Sequence, residues 1–426
     1  MSKKIVRYVS MTLLLATLTV LLLTSCAFLG VPMSGDYITK DEVQNMIDNS
    51  MNGNITVEGG DNINVTINGT SQENAAAGKA LLSTVSIRCV FKTSSQGTSY
   101  YPGATSQKDK TAAGSGVIYK LDKNNGDAYI ITNYHVVYYN QAITKNGISN
   151  DITVYLYGQE SEEYAIPAKY VGGSMNYDIA VLKVEGSKVI AESNAIAVTF
   201  ADSDNVAVLD QAIAIGNPEG LGISATLGYI NVDSEYIVME GADGATEIQL
   251  RVMRMDTAVN GGNSGGGLFN SSGEVIGIVN AKLSNSENMS YAIPSNLVRN
   301  VADSILYYCD GKVDESMYKC MLGITVTPAK LYTVYDAESG KVLKREVISV
   351  AEVGQNALAD GVIKVGDIIN SITVDGAKYD VVRMYVVTDS MLNARVGSTV
   401  VINVTRGNET IDVTVEITES ALTKIK

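Results

Sequence analysis

The sequence predicts a mainly β protein: one or two closed barrels, followed by a smaller α/β unit. Three observations carry this. From Leu81 to Asn280 the chain is a run of short apolar strands separated by Gly, Asn and Asp turn signals, among them "STVSIRCVFK", "ITVYLYG", "DIAVLKV", "QAIAIGNP" and "EVIGIVNA". Strands at such spacing close into barrels. Tyr, Val, Ile, Thr, Asn and Gly are plentiful, with four Phe and no Trp, a mixture that leans to strands. Past one amphipathic helix and a mostly polar link, a compact α/β segment starts at Tyr318.

The 426 residues are 46% apolar and 18% charged, enough for two or three ordinary cores and unlike a disordered chain. The formal charge is −14 and no run of lysine or arginine occurs. No patch is available to neutralise phosphates, so nucleic acid is not expected as a partner. There is one histidine, His135, and the four cysteines contain no Cys-x-x-Cys pair. Neither a metal site nor a cofactor is expected.

Residues 1–25, "MSKKIVRYVSMTLLLATLTVLLLTS", set Lys3, Lys4 and Arg7 ahead of an apolar run, the layout of a secretory signal. As a membrane span the run is only marginally long. "LTSC" at Leu23 to Cys26 resembles the lipobox of bacterial lipoproteins. That resemblance implies cleavage before Cys26, lipid on its sulfur, and a protein held to the cell membrane outside the cytoplasm. Cys89, Cys309 and Cys320 then remain, too few for a disulfide framework. A Cys309–Cys320 bridge is open, and buried thiols are the main expectation.

Residues 26–78 read as a tether. Thr39 and Glu42 have capping-box spacing, and Val43, Met46, Ile47 and Met51 share a helical face. "NITVEGGDNINVTING" then alternates about a Gly-Gly-Asp-Asn turn, as a hairpin does. Residues 79–311 form the main body. It closes with a helix whose Leu297, Val298, Val301, Ala302, Ile305 and Leu306 share a face and which Gly311 ends. Residues 312–317 are the link, and residues 318–420 the α/β unit.

Within the body, "VNGGNSGGGLFN" at residues 259–270 sets Ser264 among glycines. Each glycine weakens regular structure by roughly 0.5–1 kcal/mol relative to alanine. A linker would not run straight on into a strand, a turn at Asn270 to Gly273 and a second strand. The cluster therefore reads as a tight loop whose backbone N–H groups face a reacting atom, with Ser264 at its tip. A serine hydroxyl is a poor nucleophile unless an imidazole takes its proton. His135 lies at the end of the strand in "AYIITNYHVV", and Asp178 precedes another strand in "MNYDIAVLKV". A buried aspartate would fix the imidazole tautomer and stabilise the imidazolium. Gly262, Asn263 and Ser264 would frame the oxyanion, where one donor is typically worth about 2.7–4 kcal/mol in the transition state.

"GSGVIYK", "ITNYHVV", "NYDIAVLKV", "AIGNPEGLG", "DTAVNGGNSGGGLFN" and "YAIPSNLV" occur in that order, and together they resemble the HtrA/Deg family of trypsin-like serine proteases. The resemblance covers roughly Leu81 to Ile417. It implies a chymotrypsin-like double barrel with His135 and Asp178 on one barrel, Ser264 on the other, and the site between them. It further implies an ATP-independent endopeptidase of protein quality control, acting on unfolded or mislocalised envelope proteins as a homotrimer or higher oligomer. Gly261 and Gly267 stand where the family usually has proline, so a more mobile oxyanion loop is expected.

The same resemblance makes residues 318–420 a PDZ domain. Met321, Leu322, Gly323 and Ile324 match its carboxylate-binding loop, Lys319 adds nearby charge, and the groove helix falls within Tyr379 to Ala394. A peptide would add there as an edge strand through its C-terminus. Ala258 stands at the floor of the specificity pocket, which implies cleavage after medium-sized aliphatic residues; Asp256 is the one nearby carboxylate that could alter this. The competing reading is a non-proteolytic holdase or scaffold that binds unfolded chains through the same cleft and groove.

Overall fold

The computed structural model describes residues 55–58, 64–67, 72–95, 106–144, 146–282, 289–311 and 317–425. The expected signal segment, Cys26, the helix expected after Thr39 and nearly all of the expected link lie outside them. Strands β1 (Ile55–Glu58) and β2 (Asn64–Ile67) pair antiparallel with Ile55 opposite Ile67, as the hairpin pattern predicts. Helix α1 (Gln72–Ser83) runs unbroken across position 78, where the main body was expected to start.

The first barrel contains β3 (Thr84–Ser95), β4 (Ser106–Asp122), β5 (Asp127–Thr132), β6 (Asp151–Leu156), β7 (Ile166–Ser174) and β8 (Ile179–Val184), closed in the order β3-β4-β5-β8-β7-β6. Its interior is filled by β-branched and aliphatic side chains, among them Val85, Ile87, Ile118, Ile130 and Leu182. The short helix α2 (Tyr134–Val137) lies between β5 and β6, and α3 (Lys188–Glu192) follows β8. The second barrel contains β9 (Gln211–Gly216), β10 (Ser224–Glu240), β11 (Glu247–Met255), β12 (Gly267–Phe269), β13 (Val275–Lys282) and β14 (Ser290–Pro294), closed as β10-β11-β14-β13-β12-β9. The β12–β13 hairpin turns at Asn270 to Gly273, with Gly273 donating to the Asn270 carbonyl at 3.0 Å. The fold is therefore the double barrel that the motifs imply.

Helix α4 (Ser295–Cys309) buries Leu297, Val298, Val301, Ala302 and Ile305, the face read from the sequence. That face joins one core with Val181 of the first barrel and Ile215 and Phe269 of the second. Burying five such aliphatic side chains stabilises by roughly 1.5–3 kcal/mol each for the larger ones, so α4 fastens the two barrels together.

The C-terminal unit holds β15 (Met317–Cys320), β16 (Ile324–Asp336), β17 (Lys341–Val353), β18 (Ile368–Val374), β19 (Ala377–Asp380), helix α5 (Met384–Ser390), β20 (Thr399–Arg406), β21 (Glu409–Glu416) and β22 (Leu422–Ile425). The main sheet runs β16-β17-β18-β20-β21, with β19 on β18, so β16 is an edge strand. Strand β15 pairs with β22, which carries the unit past its expected end at residue 420. Helix α5 falls inside the span expected for the groove helix.

This unit packs on the second barrel through charge. The buried Arg251 of β11 pairs with Asp389 of α5, and its guanidinium lies 3.9 Å from the centre of the Tyr385 ring. Asp233 of β10 receives Lys344 at 2.7 Å and Arg383 at 2.9 Å, and Asp210 receives Lys341 at 2.6 Å. Cys89, Cys309 and Cys320 are buried thiols, and the open Cys309–Cys320 bridge is not formed.

Candidate active site

Strand β5 ends at Thr132, and the buried Asn133 turns the chain into α2, which carries His135. Asp178 immediately precedes β8 at φ +49°, a left-handed conformation uncommon for a residue other than glycine. It is held there by Asn133, whose side-chain amide donates to the Asp178 carbonyl at 2.9 Å. The carboxylate meets His135 twice. Oδ1 accepts the His135 backbone N–H at 3.0 Å, and Oδ2 lies 2.7 Å from Nδ1. An ionised carboxylate only accepts, so the proton sits on Nδ1 and Nε2 is left as the basic nitrogen.

Asp178 is 4% exposed, while the His135 side chain keeps 36% of its surface open. Burial disfavours a charged imidazole, but the attraction and hydrogen bond of Asp178 outweigh it and raise the His135 pKa above its ordinary 6.5.

Ser264 lies in the loop between β11 and β12. Its hydroxyl donates to the Asn280 carbonyl at 3.0 Å, and among the described residues no hydrogen bond joins it to His135. The Asn280 side-chain amide in turn donates to Asp178 Oδ2. One asparagine thus touches both the acid and the hydroxyl.

The peptide orientations around Ser264 can be read from their carbonyls. Gly261 O accepts from Glu219 N–H at 2.6 Å, and Asn263 O from Gly266 N–H at 2.9 Å. In a trans peptide the N–H opposes the preceding C=O, so the Gly262 and Ser264 N–H groups point the other way. Neither makes a hydrogen bond among the described residues. Asn263 differs from the expectation that it shares the donor role: its N–H is committed to Asn260 O at 3.1 Å. Gly262 sits at φ +97°, and a Cβ there would fall 2.2 Å from Asn217 O. Only glycine fits.

The two glycines at the family's proline positions differ from each other. A Cβ at Gly261 would meet nothing within 4 Å. Gly267 is not in a loop at all: it is buried in β12, between Ile215 and Ile278, and a Cβ there would fall 2.4 Å from the Phe269 ring. The expected loosening does not apply to it, because its missing side chain is replaced by Phe269.

Ala258 is exposed and its carbonyl accepts from Thr226 Oγ1 at 2.9 Å. The Asp256 carboxylate is held against β10, accepting from Tyr229 N–H at 2.6 Å. In the C-terminal unit, Met321 N–H is taken by Ala421 O at 2.9 Å. Leu322 O and Gly323 O accept from Ala359 and Gly354, while the Leu322 and Gly323 N–H groups have no partner among the described residues. Gly323 has φ +73°, and Ile324 opens the edge strand β16.

Residues 114–278 match the trypsin-like peptidase domain. The chain is 30% identical over 373 residues to the serine protease Do-like HtrA of Lactococcus lactis subsp. cremoris (strain MG1363), spanning 83% of this chain and 84% of that protein. The chain belongs to the HtrA/DegP family of serine proteases. It is likewise 41% identical over 204 residues to the serine protease Do-like HtrB of Bacillus subtilis (strain 168), across 47% of this chain and 39% of that one. With the periplasmic serine endoprotease DegP of Escherichia coli (strain K12) it shares 31% over 332 residues, 76% of this chain and 60% of that one. This HtrA-family protein is a serine endopeptidase, and its substrates are polypeptides. Reading its sequence missed Ser115, Asn217 and Asn280 as parts of the site. All three are small polar residues beside glycine or apolar strand residues, and apart from the Gly220 and Gly222 N–H groups that bond Asn217, the partners that tie them to the site lie at least sixteen residues away.

Proposed function

We propose that this HtrA-family endopeptidase cleaves peptide bonds with His135, Asp178 and Ser264 through an acyl-enzyme. The observation that carries the assignment is the Asp178 carboxylate bound to both His135 Nδ1 and the His135 backbone, which leaves Nε2 free to act as base. Ser264 Oγ attacks the scissile carbonyl carbon while Nε2 takes its proton. The carbonyl oxygen becomes an oxyanion held by the Gly262 and Ser264 N–H groups. Collapse breaks the C–N bond, and the imidazolium returns its proton to the departing amine. Water, deprotonated by the same nitrogen, then hydrolyses the ester and restores Ser264. Because the hydroxyl rests on Asn280 O, it must turn toward His135 as substrate binds.

In this reading Cys26 carries lipid after signal removal, and the enzyme works outside the cytoplasm on unfolded or mislocalised proteins, as a homotrimer or larger assembly. The "LTSC" sequence supports the anchor, and the periplasmic DegP relative supports the location. Residues 318–420 act as a PDZ domain for peptide C-termini. The Leu322 and Gly323 N–H groups beside the edge strand β16, which have no partner among the described residues, support that role.

Labelling with a fluorophosphonate probe tests the central claim. Wild type is expected to be labelled on Ser264, and Ser264→Ala and His135→Ala are each expected to lose about three or more orders of magnitude in casein turnover. A folded variant of either kind with wild-type turnover refutes the triad.

A further inference from the structure

Ser115 is fully buried in β4, between Gly114 and Gly116. Its two neighbours explain how it gets where it is. A Cβ at Gly114 would fall 2.5 Å from the Val136 side chain, and one at Gly116 would fall 2.7 Å from Ile130. The strand therefore lies flush against α2 and β5, and between the two glycines it presents one side chain to the second barrel.

Every polar group of Ser115 is engaged. Its N–H donates to Ser264 O at 2.9 Å, and its carbonyl accepts from Thr132 Oγ1 at 2.7 Å. Its hydroxyl donates to Gly262 O at 2.7 Å and accepts from Asn217 N–H at 2.7 Å. These partners are the nucleophile's own carbonyl, the end of the strand that leads to His135, the oxyanion loop, and the loop that holds Gly261. The last link matters most. Asn217 begins the turn in which Glu219 N–H clamps Gly261 O, and that clamp decides which way the Gly262 N–H faces.

We infer that Ser115 is a positioning residue for acyl transfer, its hydroxyl bracketing Gly262 so that the Gly262 and Ser264 N–H groups stay aimed at the oxyanion. The inference rests on the triad proposed above. It requires a hydroxyl, because one small group must donate to a carbonyl and accept from an N–H at once. Alanine would leave the buried Asn217 N–H and the Gly262 carbonyl without this partner, and the cheapest relief is rotation of the loop peptides. The effect falls on the transition state, since the ground-state carbonyl does not depend on the oxyanion donors to the same degree.

The test uses the full chain with a chromogenic peptide substrate and a peptidyl boronic acid of matching sequence, whose tetrahedral adduct with Ser264 places an oxygen on the same donors. Ser115→Ala is expected to lower kcat by about tenfold to a hundredfold, less than removal of a donor itself, with KM nearly unchanged. Boronate affinity should weaken by a similar factor. Ser115→Cys, similar in shape but a poor hydrogen-bonding group, is expected to fall between the two, and it carries the test if the alanine variant does not fold. Unchanged kcat in a folded variant overturns the inference, as does a loss confined to KM with boronate affinity intact. Fluorophosphonate labelling of wild type separates the two claims: absence of label on Ser264 refutes the triad, whereas normal label with no Ser115 effect refutes only the bracket.

Discussion

Replacing Gly267 with alanine puts a methyl group where the Phe269 ring already is. The added Cβ would lie 2.4 Å from Phe269 Cε2, 2.5 Å from Cζ and 3.1 Å from a Val117 methyl. Ordinary carbon contacts are about 3.5–4.0 Å, so the ring would have to retreat by more than an ångström. It has nowhere to go, being fully buried in the core shared by both barrels. Overpacking at such a site costs about 1–3 kcal/mol, and the rigidity here argues for the upper half of that range. At about 2–4 °C per kcal/mol for a body of this size, the melting temperature should fall by roughly 4–12 °C. The measurement is circular dichroism in a Ser264→Ala background, which prevents self-cleavage; the chain has no Trp for intrinsic fluorescence of that kind. Adding Phe269→Leu removes the colliding ring edge, so the double variant should be more stable than the sum of the two single losses by about 1 kcal/mol or more. A Gly267→Ala protein that melts with wild type, or strict additivity in the double variant, refutes the reasoning.

Four further outcomes are expected. Because Asp178 raises the His135 pKa and only the neutral imidazole can take the serine proton, the acid limb of kcat/KM should lie above pH 6.5, with activity lost as pH falls through it; a limb below 6 contradicts this. Asp389→Ala leaves the buried Arg251 guanidinium without its carboxylate, a loss of about 3–5 kcal/mol for a broken buried pair, read as a lowered denaturation midpoint that Arg251→Ala alone should not exceed. Because Asp256 is tied to the Tyr229 N–H, cleavage should follow Val, Ile, Leu, Ala or Met in mass-spectrometric maps of a digested unfolded protein; a majority of cuts after Lys or Arg shows a charged pocket. Peptides ending in an apolar residue should bind the full chain, and amidation of their carboxylate should weaken binding by more than about 1 kcal/mol; equal affinity for acid and amide rejects the loop at Leu322 and Gly323.

The elements legible in the sequence were those whose cause is local. Leu297, Val301 and Ile305 declare a helix face by spacing alone, and the Asn270 to Gly273 turn declares a hairpin. The candidates His135, Asp178 and Ser264 stand out because each lies within a motif, and because a sole histidine leaves one candidate base. What stayed hidden depends on pairing across long separations. Ser115 looks like any serine between glycines until β4 is set against the second barrel. Asn280 reads as a strand residue, yet it reaches Asp178, 102 positions earlier. Gly267 reads as loop beside the glycines that precede it, but pairing with Ile215 and Ile278 makes it strand. The Arg251–Asp389 pair joins two isolated charges 138 positions apart, with no pattern in either segment to announce it.

The buried thiols have a consequence for how such an enzyme lives and can be watched. Burial, with a contribution from Asp151, pushes the Cys89 thiol up to about 12, and burial pushes Cys320 up to about 11 despite Arg395. The thiolate is the reactive form, so at neutral pH these sulfurs are almost inert while the fold is closed. An oxidising compartment therefore has little hold on these two sulfurs while they stay buried. Opening reverses this at once, since an exposed cysteine reverts to an ordinary pKa of about 8.5. Cys89 sits inside the first barrel and Cys320 inside the C-terminal unit. Timed alkylation followed by peptide mapping would therefore clock the breathing of each part separately, with no substitution in the sequence.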